Sequence, residues 1–196
     1  MTEKEVAAEI EYFMKKNKAE GTSFDTIVAF SENSALPHAQ PTDRKLKDGD
    51  IVLMDYGCMY EGYCSDMTRT VFMGKANDEL KKIYDTVLKA QITAEEKMKA
   101  GLKCCEIDKI ARDIIENAGY KNCFNHSLGH GVGLEIHEFP NLSPKSESVL
   151  EKNNVVTVEP GIYEEGLGGV RIEDMVLVTE NGIENLTNSP KGLIQI

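Results

Sequence analysis

The chain of 196 residues carries 33 Asp and Glu against 22 Lys and Arg, a net charge of −11, and is 41% hydrophobic. Length and composition suit one soluble globular domain, and the acidic balance argues against nucleic acid and anionic membrane surfaces, which demand a basic face. No apolar run approaches the ~20 residues of a membrane span, and the five cysteines (Cys58, Cys64, Cys104, Cys105, Cys123) contain no C-x-x-C pair, so free thiols in a reducing cytoplasm are expected.

The first helix is signalled by Thr2 with Glu5 three residues on, a capping-box pattern, followed by Val6, Ile10, Phe13 and Met14 at helical spacing and an exit at Gly21. Phe24 to Phe30 reads as a short strand, then a polar loop carries Pro37-His38 and Pro41 into the strand Ile51 to Gly57. Tyr63 to Met73 is a second strand, and the intervening Met59-Tyr60-Glu61-Gly62 suits a hairpin turn. With Tyr60 and Glu61 at the centre of the turn, Asp55 and Asp66 would face each other directly, ~5 Å apart on one side of the sheet.

Asn77 is a candidate N-cap for a long helix with Leu80, Ile83, Tyr84, Val87, Leu88 and Ile92 on one face. Another helix runs from about Glu106, with Ile107, Ile110, Ala111, Ile114 and Ile115 inward, and stops at Gly119. From Asn125 the chain is glycine-rich and strand-like to His137, a loop with Pro140 and Pro144 follows, and the last strong strands are joined through Gly166-Leu167-Gly168-Gly169. The pattern predicts an α+β domain with a largely antiparallel sheet.

Strongly apolar runs carry carboxylates where core strands should have none: Asp55 after Ile51-Val52-Leu53-Met54, Asp66 before Met67 to Met73, Glu159 after Val155-Val156-Thr157-Val158, and Glu173 within Val170 to Val178. A buried ionised carboxylate costs several kcal/mol unless a positive charge neutralises it. Singly, each has an ordinary reading as a turn or edge-strand residue. Together, and with His130 held in Gly129-His130-Gly131, they form an oxygen-rich set suited to one or two divalent metals.

His126 and His130 are four apart, but Gly129, Gly131 and Gly133 make a helix improbable there, which rejects a paired-histidine zinc helix. The same glycines match no phosphate-binding loop, and are expected to let metal or substrate approach the backbone. Taken alone, His38 reads as a surface residue, and His126 and His137 as satisfied core histidines. Arg171 lies two residues before Glu173, on the same face of its strand, and could brace a metal-binding acid or hold a substrate carboxylate.

Ser34-Ala35-Leu36-Pro37-His38, the Asp55–Asp66 hairpin, His126 to Glu138, Val158-Glu159-Pro160-Gly161-Ile162-Tyr163 and Val170-Arg171-Ile172-Glu173-Asp174 resemble the pita-bread metallopeptidases over nearly the whole chain. The resemblance is to the proline-directed branch of Xaa-Pro aminopeptidases and Xaa-Pro dipeptidases. It implies a curved sheet with helices on one face and two pseudo-symmetric halves. It also implies hydrolysis of the bond between an N-terminal residue and proline, with peptides bearing proline at the second position as substrates. Asp55 would ligate one metal, Asp66 and Glu173 would bridge two, and His130 and Glu159 would complete the ligand set of the second metal. The ions implied are manganese, with cobalt or zinc as alternatives. Glu159 would double as proton shuttle, His38 and His137 would contact the peptide and stabilise its oxyanion, and His126 would line the proline pocket. Methionine aminopeptidase shares fold and ligands and is one alternative, and a catalytically silent peptidase-like binding module is another. A creatinase-like amidinohydrolase, which needs no metal, is disfavoured because no ligand is missing.

Val6, Ile10, Phe13 and Met14 repeat, at a fixed offset, the pattern Ile107, Ala111, Ile114 and Ile115, without a counterpart of the helix after Asn77. Since the family's catalytic domain usually follows a separate N-terminal domain, residues 1–196 are expected to be a single catalytic domain lacking its first helix and an upstream domain. An uncovered apolar strip, and self-association such as a homodimer, would follow.

Overall fold

Thr2 opens the first helix as the spacing predicts. Its Oγ1 accepts the Glu5 N–H at 3.1 Å, while Glu5 Oε2 accepts the Thr2 N–H at 2.8 Å, and helix α1 runs Glu3–Lys16. Glu3 turns inward, fully buried, and accepts from the Phe30 N–H at 2.7 Å and the Thr42 N–H at 2.8 Å. The helix is thereby pinned to strand β2 (Ile27–Phe30), which follows the short β1 (Gly21–Thr22). Val6, Ala7 and Ile10 pack on Val28, Phe30 and Val52, whereas Phe13, expected inward, is 67% exposed. The computed structural model describes all residues, 1–196.

Strands β3 (Ile51–Tyr56), β4 (Cys58–Tyr60), β5 (Tyr63–Cys64) and β6 (Met67–Phe72) form the long hairpin. Its turn is centred one residue later than expected: Tyr60 pairs with Tyr63, leaving Glu61 and Gly62 at φ +50° and +79°. Positive φ at both central residues matches the right-handed twist of the strands, and glycine at the second position adopts it without strain. Asp55 consequently faces Thr68 and not Asp66. The two acids are offset along the hairpin, which corrects the directly opposed pair.

Asn77 Oδ1 accepts the Glu79 N–H at 2.8 Å and starts α2 (Asp78–Lys97). Helix α3 (Cys104–Asn117) begins two residues before the expected Glu106. Ile83, Val87, Ile107, Ala111 and Ile115 bury against Val156, Val158 and Val176 in the main core. The segment from Asn125 to His137 is strand only over β7 (Gly129–Gly131). Before it, Arg112 donates to Phe124 O at 2.7 Å and His126 O at 2.9 Å, so α3 holds that backbone in place of a ladder. Pro140 sits inside strand β8 (Glu138–Leu142), not in a loop, because β8 is an edge strand where a missing N–H costs no ladder bond.

The remaining strands are β9 (Val155–Val158), β10 (Gly161–Glu164), β11 (Gly168–Arg171), β12 (Asp174–Val178) and β13 (Ile183–Asn185). One sheet has the order β2-β3-β6, another β13-β12-β9-β7-β8, with β10-β11 and β1-β4-β5 as smaller pieces. The paired strands are antiparallel, so the α+β reading holds. Beyond β13 the chain returns to β6, where Phe72 N–H donates to Ile194 O and Ile196 N–H to Phe72 O, both at 2.9 Å. On the sheet face under α1, Met54 and Val71 remain half-buried beside the buried Val28 and Val52.

Candidate metal centre

Strand ends from both sheets converge on one cavity of about 580 Å³, and every residue singled out above lines it: Asp55, Asp66, His130, Glu159, Glu173, His38, His126, His137 and Arg171. Asp55 comes from β3 and Asp66 from the approach to β6, while His130 is the middle of β7. Glu159 and Glu173 sit at the breaks after β9 and β11. At such breaks a side chain leaves the packed sheet without leaving an unpaired ladder inside the core.

His130 Nδ1 lies 3.0 Å from Gly131 O, which assigns the proton to Nδ1 and leaves the Nε2 lone pair facing the acids. That Nε2 is 3.4 Å from Glu159 Oε1 and 3.6 Å from Asp66 Oδ2. Ligand atoms of Asp66, His130 and Glu173 all lie within 4.8 Å of one another. The flanking glycines serve chain packing: a Cβ on Gly129 would sit 2.0 Å from Thr157 O, and one on Gly131 2.5 Å from Phe139 O. Their expected role in admitting metal or substrate to the backbone is therefore corrected. They let β7 close on its neighbours, which is what brings His130 to the acids.

Arg171, 2% exposed, is the one cationic side chain lining the cavity. It donates to Asp55 Oδ2 at 2.5 Å, Tyr163 OH at 2.8 Å, Thr68 Oγ1 at 3.0 Å and Pro37 O at 3.2 Å. Thr68 Oγ1 passes the bond on to Glu173 Oε2 at 2.6 Å, so the guanidinium braces Asp55 directly and Glu173 through Thr68. Thr157 serves the other side, accepting the His130 N–H at 3.1 Å and donating to Glu159 Oε1 at 3.2 Å. Tyr163 OH also meets His126 Nε2 at 2.8 Å, and His126 Nδ1 meets Ser127 O at 2.8 Å, so both ring nitrogens are engaged. His38 and His137 are exposed at the rim, with the His137 ring 4.4 Å from that of His130.

The electrostatics show an uncompensated anionic cluster. Burial, then the Asp55 and Glu159 charges, push Asp66 up to about 9. Burial also raises Glu159 to about 8, with the Asp55 charge adding to it against the pull of Arg171. Glu173 is raised well above its ordinary range by burial and then by Asp66, Glu159 and Asp55. Burial lowers His130, and takes His126 down to about 3 with help from the Arg171 charge, so both rings are neutral. Asp55 Oδ1 is buried with no hydrogen-bond partner. An orphaned carboxylate oxygen, crowded acids and an imidazole lone pair aimed among them fit a hard divalent cation, which would satisfy them together.

Thr68, Thr157 and Tyr163 were not singled out from the sequence as site residues. The signal for the threonines was present, since each lies two residues from a site acid and hence on the same strand face. Tyr163 follows Glu159 around a strand break, where periodicity gives no guide. Phe139, 90% exposed on the cavity wall, also escaped notice.

Residues 1–180 match metallopeptidase family M24. The chain is 52% identical over 192 residues to the Xaa-Pro dipeptidase of Pyrococcus furiosus, a match covering 98% of this chain and 55% of that protein. Among solved structures it is similar to the Xaa-Pro dipeptidase from Bacillus anthracis, with a TM-score of 0.99 and 50% identity over 100% of this chain and 55% of that one. It is also similar to the X-Pro aminopeptidase from Thermotoga maritima, with a TM-score of 0.98 and 48% identity over 100% of this chain and 56% of that one. The chain thus spans about half the length of these relatives. Sequence match, sheet topology and cavity agree: this chain belongs to metallopeptidase family M24 and has its pita-bread fold.

Proposed function

We propose that this chain carries the catalytic centre of a two-metal exopeptidase that hydrolyses the bond between an N-terminal residue and proline. The observation that carries the reading is the meeting, from both sheets, of Asp55, Asp66, His130, Glu159 and Glu173 around a buried oxygen without a partner. Asp55 would hold one ion, Asp66 and Glu173 would lie between two, and His130 and Glu159 would hold the second. Oxygen-dominated donors favour manganese over softer metals. Bound metal would supply Lewis-acid polarisation of the scissile carbonyl and acidify water.

The chain's own groups have separable tasks. Glu159, oriented by Thr157, would hold and release a proton at its carboxylate. His38 and His137, at the solvent edge, would donate to the peptide oxygen as it becomes anionic. His126, kept neutral by burial and the Arg171 charge and held in place by its Tyr163 and Ser127 partners, would offer a fixed wall for the proline ring. Arg171 has four N–H bonds placed on protein acceptors, so its task is bracing Asp55 more than binding a substrate carboxylate. A reducing cytoplasm suits the five free cysteines.

The test is a side-by-side assay of Xaa-Pro dipeptides, longer Xaa-Pro peptides and Met-Ala peptides after manganese loading. Cleavage confined to Xaa-Pro bonds is expected. Preferential Met-Ala cleavage would point to a methionine aminopeptidase, and absence of both cleavage and metal uptake to a silent binding module; either overturns the proposal.

A further inference from the structure

Thr68 belongs to β6 of the β2-β3-β6 sheet and Asp66 directly precedes that strand, whereas Glu173 directly precedes β12 of the other large sheet. The seam between them carries a bond from Glu173 N–H to Thr68 O at 3.2 Å and one from Thr70 Oγ1 to Arg171 O at 2.9 Å. Behind this seam, on the side away from the cavity, lies Arg69. Its Nη1 donates to Thr68 O at 2.9 Å and to Glu173 O at 2.5 Å, one carbonyl from each side. The other N–H groups go to Asp174 Oδ1 at 2.6 Å, Ser189 O at 2.8 Å and Pro190 O at 3.0 Å, so every donor of the guanidinium is used.

Lys191 completes the arrangement. Its ammonium lies 2.7 Å from Asp174 Oδ2, 2.8 Å from Glu95 Oε2 and 3.0 Å from Gln91 Oε1, again matching donors to acceptors. Asn185 Nδ2 adds bonds to Asp174 Oδ2 at 2.8 Å and Glu95 Oε1 at 3.2 Å. Arg69, Asp174, Glu95 and Lys191 thus form a charge-balanced cluster in which Asp174 is fully buried. Ser189, Pro190 and Lys191 lie outside residues 1–180, the part matched to the family.

We infer that Arg69 and Lys191 are positioning residues for the metal centre. The segment Ser189–Lys191 locks the guanidinium, and the guanidinium sets the separation of the Asp66 and Glu173 carboxylates across the seam. The inference rests on the metal-centre reading above. Neither residue touches the cavity, so each acts through the backbone of the strands that carry the ligands.

The experiment is calorimetric titration of Mn²⁺ into the folded chain, with near-ultraviolet circular dichroism as the check on folding. In the double variant Lys191→Met with Glu95→Gln, which keeps the cluster's charges balanced, Mn²⁺ affinity is expected to fall about tenfold or more, the scale seen when groups supporting metal ligands are removed. Lys152→Met, which removes an exposed pair with Glu180, should leave affinity unchanged. Wild-type affinity in a folded double variant overturns the inference. If the double variant does not fold, Asn185→Ala carries the test without changing charge: a several-fold loss supports the inference and an unchanged affinity overturns it. A wild-type chain that takes up no Mn²⁺ would overturn the metal-centre reading and this inference with it, a result distinct from loss of the positioning role alone.

Discussion

The metal-free chain is expected to lose stability as the pH rises from 5 to 8, the reverse of ordinary acid denaturation. Asp66 moves from its usual 3.8 to about 9 on folding, through burial and the charges of Asp55 and Glu159. Between those values the folded state holds a proton that the unfolded chain has released. The stability is therefore fully present below the unfolded value and is lost as pH rises through the folded one, at about 1.4 kcal/mol per pH unit. From pH 5 to 8 this amounts to about 4 kcal/mol for Asp66, or about 10 °C in Tm for a chain of this size. Glu159 and Glu173 act in the same direction. The assay is scanning calorimetry in EDTA at several pH values, for wild type and for Asp66→Asn, which mimics the protonated acid. The variant should show a flatter dependence, and saturating Mn²⁺ should flatten that of the wild type. A metal-free wild type equally stable at pH 8 and pH 5 would refute the crowding of these acids.

Other outcomes are open to direct measurement. Glu159→Gln should nearly abolish turnover of Xaa-Pro peptides, since it would remove both a proposed ligand and the proposed proton-holding group. His38→Ala should lower kcat by about 10²–10³ while Mn²⁺ stoichiometry by calorimetry stays the same; a lost ion would show that His38 has another role. Tyr163→Phe strands a buried Arg171 donor and His126 Nε2 and should cost about 1–3 kcal/mol in urea unfolding. Asp50, although burial raises it, is brought down from 3.8 to about 2 by Arg44, Ser31 and the Lys47 N–H. Its contribution of about 2 kcal/mol is present above pH 4 and lost as pH falls through 2, so Asp50→Asn should be destabilised at pH 6 with the gap to wild type closing in acid.

The parts of this fold legible in the sequence were those governed by local chemistry. Thr2 with Glu5 and Asn77 announced the helix starts, and the acids announced themselves by interrupting apolar runs. Features decided by the approach of distant segments were less legible. The hairpin turn moved by one residue because positive φ at Glu61 and Gly62 suits the twist better than a turn at Tyr60 and Glu61. Gly129 and Gly131 read as ligand-admitting until Thr157 and Phe139 were seen pressed against them. Pro140 suggested a loop because nothing in one sequence says which strand will lie at an edge. Phe13 kept the helical period yet faces solvent, since α1 covers the sheet through Ala7 and Val6.

The outer edge of β6 has a consequence for the chain during its synthesis. Every bond that closes this edge comes from residues made much later: Arg171 and Glu173 at Thr70 and Thr68, and Ile194 and Ile196 at Phe72. At ~5–20 residues per second, the nascent first half waits several seconds to tens of seconds with the outer edge of a β-branched and aromatic strand unpaired. Open edges of that kind recruit other chains. Arg69, standing in the middle of Met67-Thr68-Arg69-Thr70-Val71-Phe72, puts a charge on the edge during that interval. The side chain that later ties the two halves together thus first guards one of them against pairing with a neighbour on the same message.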